Sequence, residues 1–549
     1  MKNIHLPTLD LIIIVVYIIG ILIVGLRYAN KKNETSDGFF LANRGLKWGI
    51  IGAALFASNI STIHLIGLAA GGYTEGLVWG NFEWLATITL ILLSLVFAPL
   101  YFKNKVATLP EFIEKRYCKN SRTVLAFIGI IGALFVHIGM SLYAGAVVFE
   151  SFFGISVVWS ITLISLITTV YTVLGGLKAV VITESIQTVI LFAGTILLTG
   201  YAISALGDHG IHSLAEFKQA IKPGQLSILH TNESINALSP KGASSGLTWY
   251  ACLLGYPVLG IWYWCSDQTH VQRVLGAATL RDAKLGPLFA GFLKLFPVFI
   301  LILPGIIGYA LFRNEIGENA NQTFPYLVNT LLPTGIKGIV SAALLAALMS
   351  NIAAALNSIG TLAAFDIAQR IKPNLSDKSL IKTGRIASII VMILAMIWST
   401  QGGKFTSIFE AINRIAAALA PPISTVLVFG VLSHRGTKQA SIITLIIGFV
   451  LGVTAFCLDY PSISGGMIIT DGLGIPFMMQ AWWLFCICSV IYWIVSFMTP
   501  IPDKEIIKEL VWEKPSYILK GEIKGWSDAR LVACYLLITL IFFYMFFRM

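Results

Sequence analysis

Apolar runs of about 20 residues, the length a helix needs to cross roughly 30 Å of hydrocarbon, recur fourteen times along the chain. They fall near 8–26, 48–71, 79–103, 123–152, 156–174, 179–206, 246–268, 285–312, 333–367, 380–400, 406–432, 438–458, 475–498 and 528–547. Several exceed the minimum, which leaves room for tilt. The pattern predicts an all-α polytopic membrane protein. One run, 49–70, carries Ser58, Asn59, Ser61, Thr62 and His64 in its middle. Each unpaired polar group in hydrocarbon costs several kcal/mol, so this cluster needs a reason. Either the hydroxyls bond back to their own helix and Asn59 ties two helices together, or the helix is unwound there. Unwinding frees backbone carbonyls and side-chain oxygens to hold an ion and a polar solute.

Three further spans are interrupted. Gly255-Tyr256-Pro257 precedes an aromatic and polar stretch at 260–268; Ser350-Asn351 runs on to Asn357-Ser358; Asn413-Arg414 precedes Pro421-Pro422. The first broken span opens a set of five (48–206) and the second opens the next five (246–432). Paired sets of five with a broken first helix predict an inverted repeat with its site at the midplane. Around it lie one extra helix and a cytoplasmic loop (1–47), an outer loop (207–245) and three C-terminal extra helices (433–549). The loop segments 208–245 and 499–527 are expected to hold short amphipathic helices.

Composition agrees: of 549 residues, 56% are hydrophobic and only 12% charged, outside the range of soluble globular chains. The first run lacks a cleavage site and reads as a retained helix. Seven scattered cysteines show neither zinc spacing nor a disulfide framework. The net charge of +11 is distributed by loop. Arg27 to Lys47, Lys103 to Arg122, Arg273 to Lys284, Arg370 to Arg385, Arg435 with Lys438, and Lys504 to Lys524 all fall in alternate connections. Those connections are then cytoplasmic, both termini lie outside, and the excess charge faces lipid headgroups rather than nucleic acid. Nothing in the sequence specifies an oligomeric state.

Ionisable residues inside spans point to function: His64, Glu83, Glu184, Asp267, Lys294, Glu410 and Arg414. Glu83 and Lys294 at mid-span suggest either a solute site or a structural ion pair. A carboxylate, a cation, an imidazole, amides and aromatic faces suit a sugar, whose hydroxyls need donors and acceptors and whose C–H face needs a flat ring. No metal cluster, phosphate loop or nucleophile–base pair argues for an enzyme.

At these residues the chain resembles the sodium/solute symporter family, in particular its sodium/glucose cotransporter branch. The resemblance runs from about 38 to 448 and rests on Ala57-Ser-Asn-Ile60, Phe82-Glu83-Trp84, Thr108-Leu-Pro-Glu-Phe112 with Lys115-Arg116, and Gly175-Gly176. It continues through Trp262-Tyr-Trp-Cys-Ser-Asp-Gln268, Val271-Gln-Arg273, Leu293-Lys294, Asn357-Ser358 and Ala420-Pro-Pro422. It implies a LeuT-type five-plus-five core with one extra helix before and three after. It implies a sugar site in which His64, Glu83, Lys294 and Asn413 contact hydroxyls, while Tyr263, with Trp264 beside it, stacks under the sugar and blocks inward exit. Asn413 stands where glutamine is usual, and Gly260 where a bacterial galactose carrier has asparagine. Arg414, next in line, would suit an acidic sugar. The resemblance also implies a sodium site built from the carbonyls of Ala57 and Ile60 with Ala347, Ser350 and Asn351, the last replacing a serine. Glu184 replaces an aspartate linked to the ion path or to a second sodium.

The expectation is a sodium-coupled monosaccharide symporter of the plasma membrane (the inner membrane in a bacterium), with sodium as co-transported ion and the lipid bilayer as its surroundings. The alternatives are a carrier of a polyol such as myo-inositol or of a sugar acid, or a sensor that binds sugar without accumulating it.

Overall fold

The computed structural model describes residues 7–27, 35–239, 246–400, 408–520, 522–523 and 525–548. Among them the regular structure is helical throughout, apart from one isolated parallel bridge between Leu46 and Ala277. Eleven helices are long and apolar enough to span a membrane, or twelve if the bent pair Trp48–Asn59 and Thr62–Thr74 is one span. This tally and the fourteen runs of the sequence part company at two places. Val157–Asp208 counts once in that tally, yet Gly176 inside it adopts the non-helical φ 63° and ψ −168° and divides it into two helices, which correspond to the runs 156–174 and 179–206. The segment Trp249–Gly260, Ile261–Ser266 and Gln268–Leu275 is broken at Asp267 and is not among the eleven. The short helices expected between spans are present, at Leu214–Ala220, Asn232–Leu238 and Lys504–Ile507.

Burial is arranged around one axis. The span Ile336–Ile371 has 94% of its apolar window inside the protein, against 28% for Thr8–Leu26 and 22% for Ala529–Phe546. Its first part, Ile336–Thr361, is rich in alanine: Ala342, Ala343, Ala346, Ala347, Ala353, Ala354 and Ala355 are all buried. Small side chains let neighbouring backbones approach closely, which is how helices associate without a hydrophobic drive. Val157–Asp208 packs along this axis. Peripheral helices instead turn apolar side chains such as Val16, Ile397 and Ile541 outward, as lipid contact requires. A mutual glycine crossing brings Thr62–Thr74 against Leu303–Ile316. A Cβ on Gly72 would lie 2.2 Å from the Ile302 carbonyl, and one on Gly305 2.0 Å from that of Ala69.

On the side of the basic loops, buried arginines tie connections to helix ends. Arg116 donates to the carbonyls of Gly430, Ser433 and Gly436 at 2.6, 2.8 and 3.1 Å, satisfying groups a helix C-terminus leaves unpaired. Arg122 pairs with Asp366 at 2.6 Å, and Thr108 donates to the same carboxylate at 2.8 Å.

The kink at Gly176 makes a direct prediction. A Cβ at Gly176 would meet the Phe39 carbonyl at 2.6 Å, in a backbone region that only glycine adopts readily. Gly176→Ala should therefore lower stability by roughly 1–3 kcal/mol, read as a lower thermal unfolding midpoint in detergent. An unchanged midpoint would show that the bend relaxes without cost.

Candidate solute and ion site

The polar stretch in the first broken span does interrupt the helix. Trp48–Asn59 and Thr62–Thr74 meet at 64°. Between them Ile60 (φ −73°, ψ 109°) and Ser61 (φ −110°, ψ 173°) are extended. Ser61 restarts the helix as an N-cap, with His64 closing a capping box: His64 Nδ1 lies 3.3 Å from the Ser61 backbone nitrogen and 3.2 Å from its Oγ. Accepting from that N–H leaves Nε2 as the protonated ring nitrogen of the neutral imidazole. The helix is unwound here, and some of its hydroxyls also bond back to backbone carbonyls. Ser58 donates to the Leu55 carbonyl and Thr62 to that of Leu344, purely structural ties. Asn59, Ser61 and His64 line a cavity of about 80 Å³.

All six residues expected to contact solute line that cavity: His64, Glu83, Tyr263, Trp264, Lys294 and Asn413. Glu83 stands in the first turn of Gly80–Leu92. The motif around it divides its labour. Phe82 and Glu83 face the cavity, while the Trp84 indole N–H donates to the Leu295 carbonyl at 3.2 Å, locking the turn that carries Lys294. Thr87 adds a bond to the Gly291 carbonyl at 3.0 Å. Lys294 Nζ then sits 2.6 Å from Glu83 Oε2, with the two side chains 1% and 2% exposed, and 5.6 Å from the Trp264 ring centre, within cation–π range. Gly260 also lines the cavity. A Cβ there would lie 2.6 Å from Thr89 Cγ2, so the glycine permits a close helix approach that an asparagine would obstruct.

Tyr263 belongs to a π-helical stretch, Ile261–Ser266, which ends where Asp267 (φ −69°, ψ 122°) caps Gln268–Leu275 through Thr269 N at 2.7 Å. Its hydroxyl accepts from Asn59 Nδ2 at 3.0 Å and its ring lies against His270, tilted by 34° with 4.1 Å between centres. The aromatic is thereby tied to the first helix break from the second.

Of the five residues expected to hold sodium, three converge. Ser350 Oγ lies 2.8 Å from the Ala57 carbonyl and 3.0 Å from that of Ala347, bridging the broken helix to the central axis. Hard, uncharged oxygens of this kind suit a monovalent cation, and the extended backbone at Ile60 turns its carbonyl out of the helical ladder. Asn351 is placed differently: its Nδ2 contacts Ser141 Oγ at 2.9 Å, and its side chain also lines the solute cavity. Glu184 is fully buried against Arg273, with Oε2 3.2 Å from Nε and Oε1 2.5 Å from Nη2.

Arg414 does not line the cavity. It pairs with Asp459 at 3.2 Å in the loop between the helices Lys438–Leu458 and Phe477–Met498. Burial opposes ionisation of Asp459, but hydrogen bonds from Thr470, Gln480 and the Ile469 backbone prevail and hold its carboxyl below the usual range. The Glu410 side chain lies outside the described residues. Sequence reasoning passed over His137, which lines the cavity, holds Asp267 Oδ2 at 2.7 Å and stands 5.5 Å from the Tyr263 ring. The rule that singled out Glu83, an ionisable group deep in an apolar run, applies equally to it.

The Glu83–Lys294 pair makes a second prediction. Removing one partner leaves a buried charge uncompensated, at a cost of about 3–5 kcal/mol, whereas removing both is far less damaging. Glu83→Gln and Lys294→Met should each lower the thermal unfolding midpoint strongly, and the double variant should recover most of the loss. Additive losses in the double variant would show that the two groups do not act as a pair.

A model of the "Sodium:solute symporter family" matches residues 39–448. Sodium/glucose cotransporter 1 of Ovis aries is 31% identical over 537 residues, covering 92% of this chain and 80% of the relative. Sodium/myo-inositol cotransporter 2 of Bos taurus is 30% identical, covering 92% and 78%. Among solved structures, a Na+-coupled sialic acid symporter in a substrate-bound outward-open state superposes with a TM-score of 0.74 at 19% identity, covering 90% of this chain and 99% of its own. That likeness bears out the LeuT-type fold, and the relatives are transporters rather than enzymes. With its span pattern, its broken helix and a family match over most of its length, this chain belongs to the sodium:solute symporter family as a multi-pass membrane protein that couples sodium to the movement of a small solute.

Proposed function

We propose that the protein carries a neutral polyhydroxylated solute, a monosaccharide of the glucose or galactose kind, together with sodium across the plasma membrane by alternating access. The observation that carries this reading is the Glu83–Lys294 pair set beside Trp264 in one cavity. A paired carboxylate and ammonium offer strong acceptors and donors to hydroxyls without a net charge, and the aromatic rings offer an apolar face. Asn413 and His64 supply further polar reach. A sugar acid is disfavoured, because Lys294 is neutralised and Arg414 is engaged by Asp459 outside the cavity. A cyclic polyol of the myo-inositol kind is the second reading, favoured by the inositol cotransporter among the relatives.

In this reading Ala57, Ile60, Ala347 and Ser350 hold sodium where the broken helix meets the central axis, and Glu184 belongs to the ion's path only when released from Arg273. The units 48–206 and 246–432 act as the two halves of the inverted repeat, with Tyr263 closing the inward side.

The test is uptake of D-glucose, D-galactose and myo-inositol by proteoliposomes with an inward sodium gradient. The account predicts accumulation of one of them above its external concentration, abolished by potassium replacement or by collapse of the gradient. Sodium-dependent binding without accumulation would identify a sensor instead.

A further inference from the structure

Ser350 and Asn351 are neighbours on one helix, yet their side chains do different work. Ser350 Oγ gathers the carbonyls of Ala57 and Ala347. Asn351, about 100° further round the helix, sends Nδ2 to Ser141 Oγ at 2.9 Å and towards the His137 carbonyl at 3.4 Å. His137 lies in a π-helical stretch, Ala133–Gly139, where the carbonyl register departs from the α-helical ladder. These contacts fix which way the amide faces: nitrogen to the neighbouring helix, oxygen away from it. Asn351 is 5% exposed, and its Oδ1 has no hydrogen-bond partner among the described residues. The residue lines the same cavity as Glu83, Lys294 and Tyr263.

Asn59, at the end of Trp48–Asn59, repeats the arrangement. Its Nδ2 is committed to the Tyr263 hydroxyl, its Oδ1 is buried and without a partner among the described residues, and it lines the cavity too. A buried acceptor left unpaired is unfavourable, and that cost is relieved when a donor enters the cavity. A polyhydroxylated solute brings hydroxyl protons.

We propose that Asn351 is a solute-contacting, specificity-determining residue: its Oδ1 accepts a hydrogen bond from a hydroxyl of the bound solute, with Ser141 and the His137 carbonyl holding the amide in register. The inference rests on the polyhydroxylated-solute reading above and deepens it. It assigns Asn351 to the solute cavity, which this residue lines while Ala57, Ile60, Ala347 and Ser350 do not.

The experiment measures equilibrium binding of D-glucose, D-galactose, myo-inositol and their monodeoxy analogues to the purified full chain, with a sodium titration for each protein. Wild type, Asn351→Ser and Ser141→Ala are compared. At saturating sodium, Asn351→Ser is expected to bind the preferred solute about three- to tenfold more weakly. Its sodium midpoint without solute should stay within about twofold of wild type. One monodeoxy analogue should bind wild type and Asn351→Ser equally, which identifies the hydroxyl that meets the amide. Ser141→Ala, which frees the amide to rotate, should show the same pattern at smaller amplitude and carries the test should Asn351→Ser not fold. Unchanged solute affinity in the folded variants overturns the inference. So does a shifted sodium midpoint with solute affinity intact, which would make Asn351 an ion ligand only. If wild type binds none of the three solutes in sodium, the sugar reading falls and this inference with it; binding in wild type with unaltered variants removes this inference alone.

Discussion

Everything in this protein follows from leaving a helix unfinished where water is scarce. A continuous helix satisfies its own backbone; one interrupted at Ile60 and Ser61 must find partners elsewhere, since each unpaired group in hydrocarbon costs several kcal/mol. The partners come from two directions. Ser61 and His64 close a capping box on the outgoing segment. On the incoming segment, Ser350 reaches the Ala57 carbonyl from the central helix. The break is thus stabilised by contacts between elements, and in the proposed reading a cation at the same oxygens bears on both. That is why a site with few polar groups can still govern the relative placement of two parts of the molecule.

Charge is handled by the same logic. Glu83 meets Lys294, Glu184 meets Arg273, Asp366 meets Arg122 and Asp267 meets His137. Such pairs add little to stability compared with apolar packing, but each is costly to split. Their value here is positional. They set Glu83 and Lys294 at one wall of the cavity, and they join Tyr263's helix to the stretch that carries His137. Of these four, only the first pair lines the cavity with both its members, and the proposed choice of solute rests on it.

Much of this was legible in the sequence. Apolar runs marked each helix long enough to cross the membrane, because most of a span must be apolar. The polar cluster at 58–64 pointed either to a break or to hydroxyls bonded back to the backbone, and the structure has both. Isolated charges marked Glu83 and Lys294 because intramembrane ions need a purpose. What was hidden depended on direction rather than identity. Composition does not show that the helices on either side of Gly176 follow one another with no loop between them. Nor does it show which of Ser58, Asn59, Ser61 and Thr62 face the cavity. Asn351 fits a sodium ligand by position, and only the placement of Ser141 and His137 turns its nitrogen aside. Arg414 sits next to a cavity residue, yet Asp459, 45 positions later, draws it away.

The central claim is that ion and solute act through one broken helix, so each must alter the other's binding by the same factor. The most direct measurement is a paired titration on the purified protein: solute affinity across a range of sodium, and the sodium midpoint across a range of solute. The account predicts that sodium tightens solute binding, by a factor of roughly 5–150 as is usual for coupled sites, and that solute tightens sodium equally. Solute binding that is indifferent to sodium would contradict it.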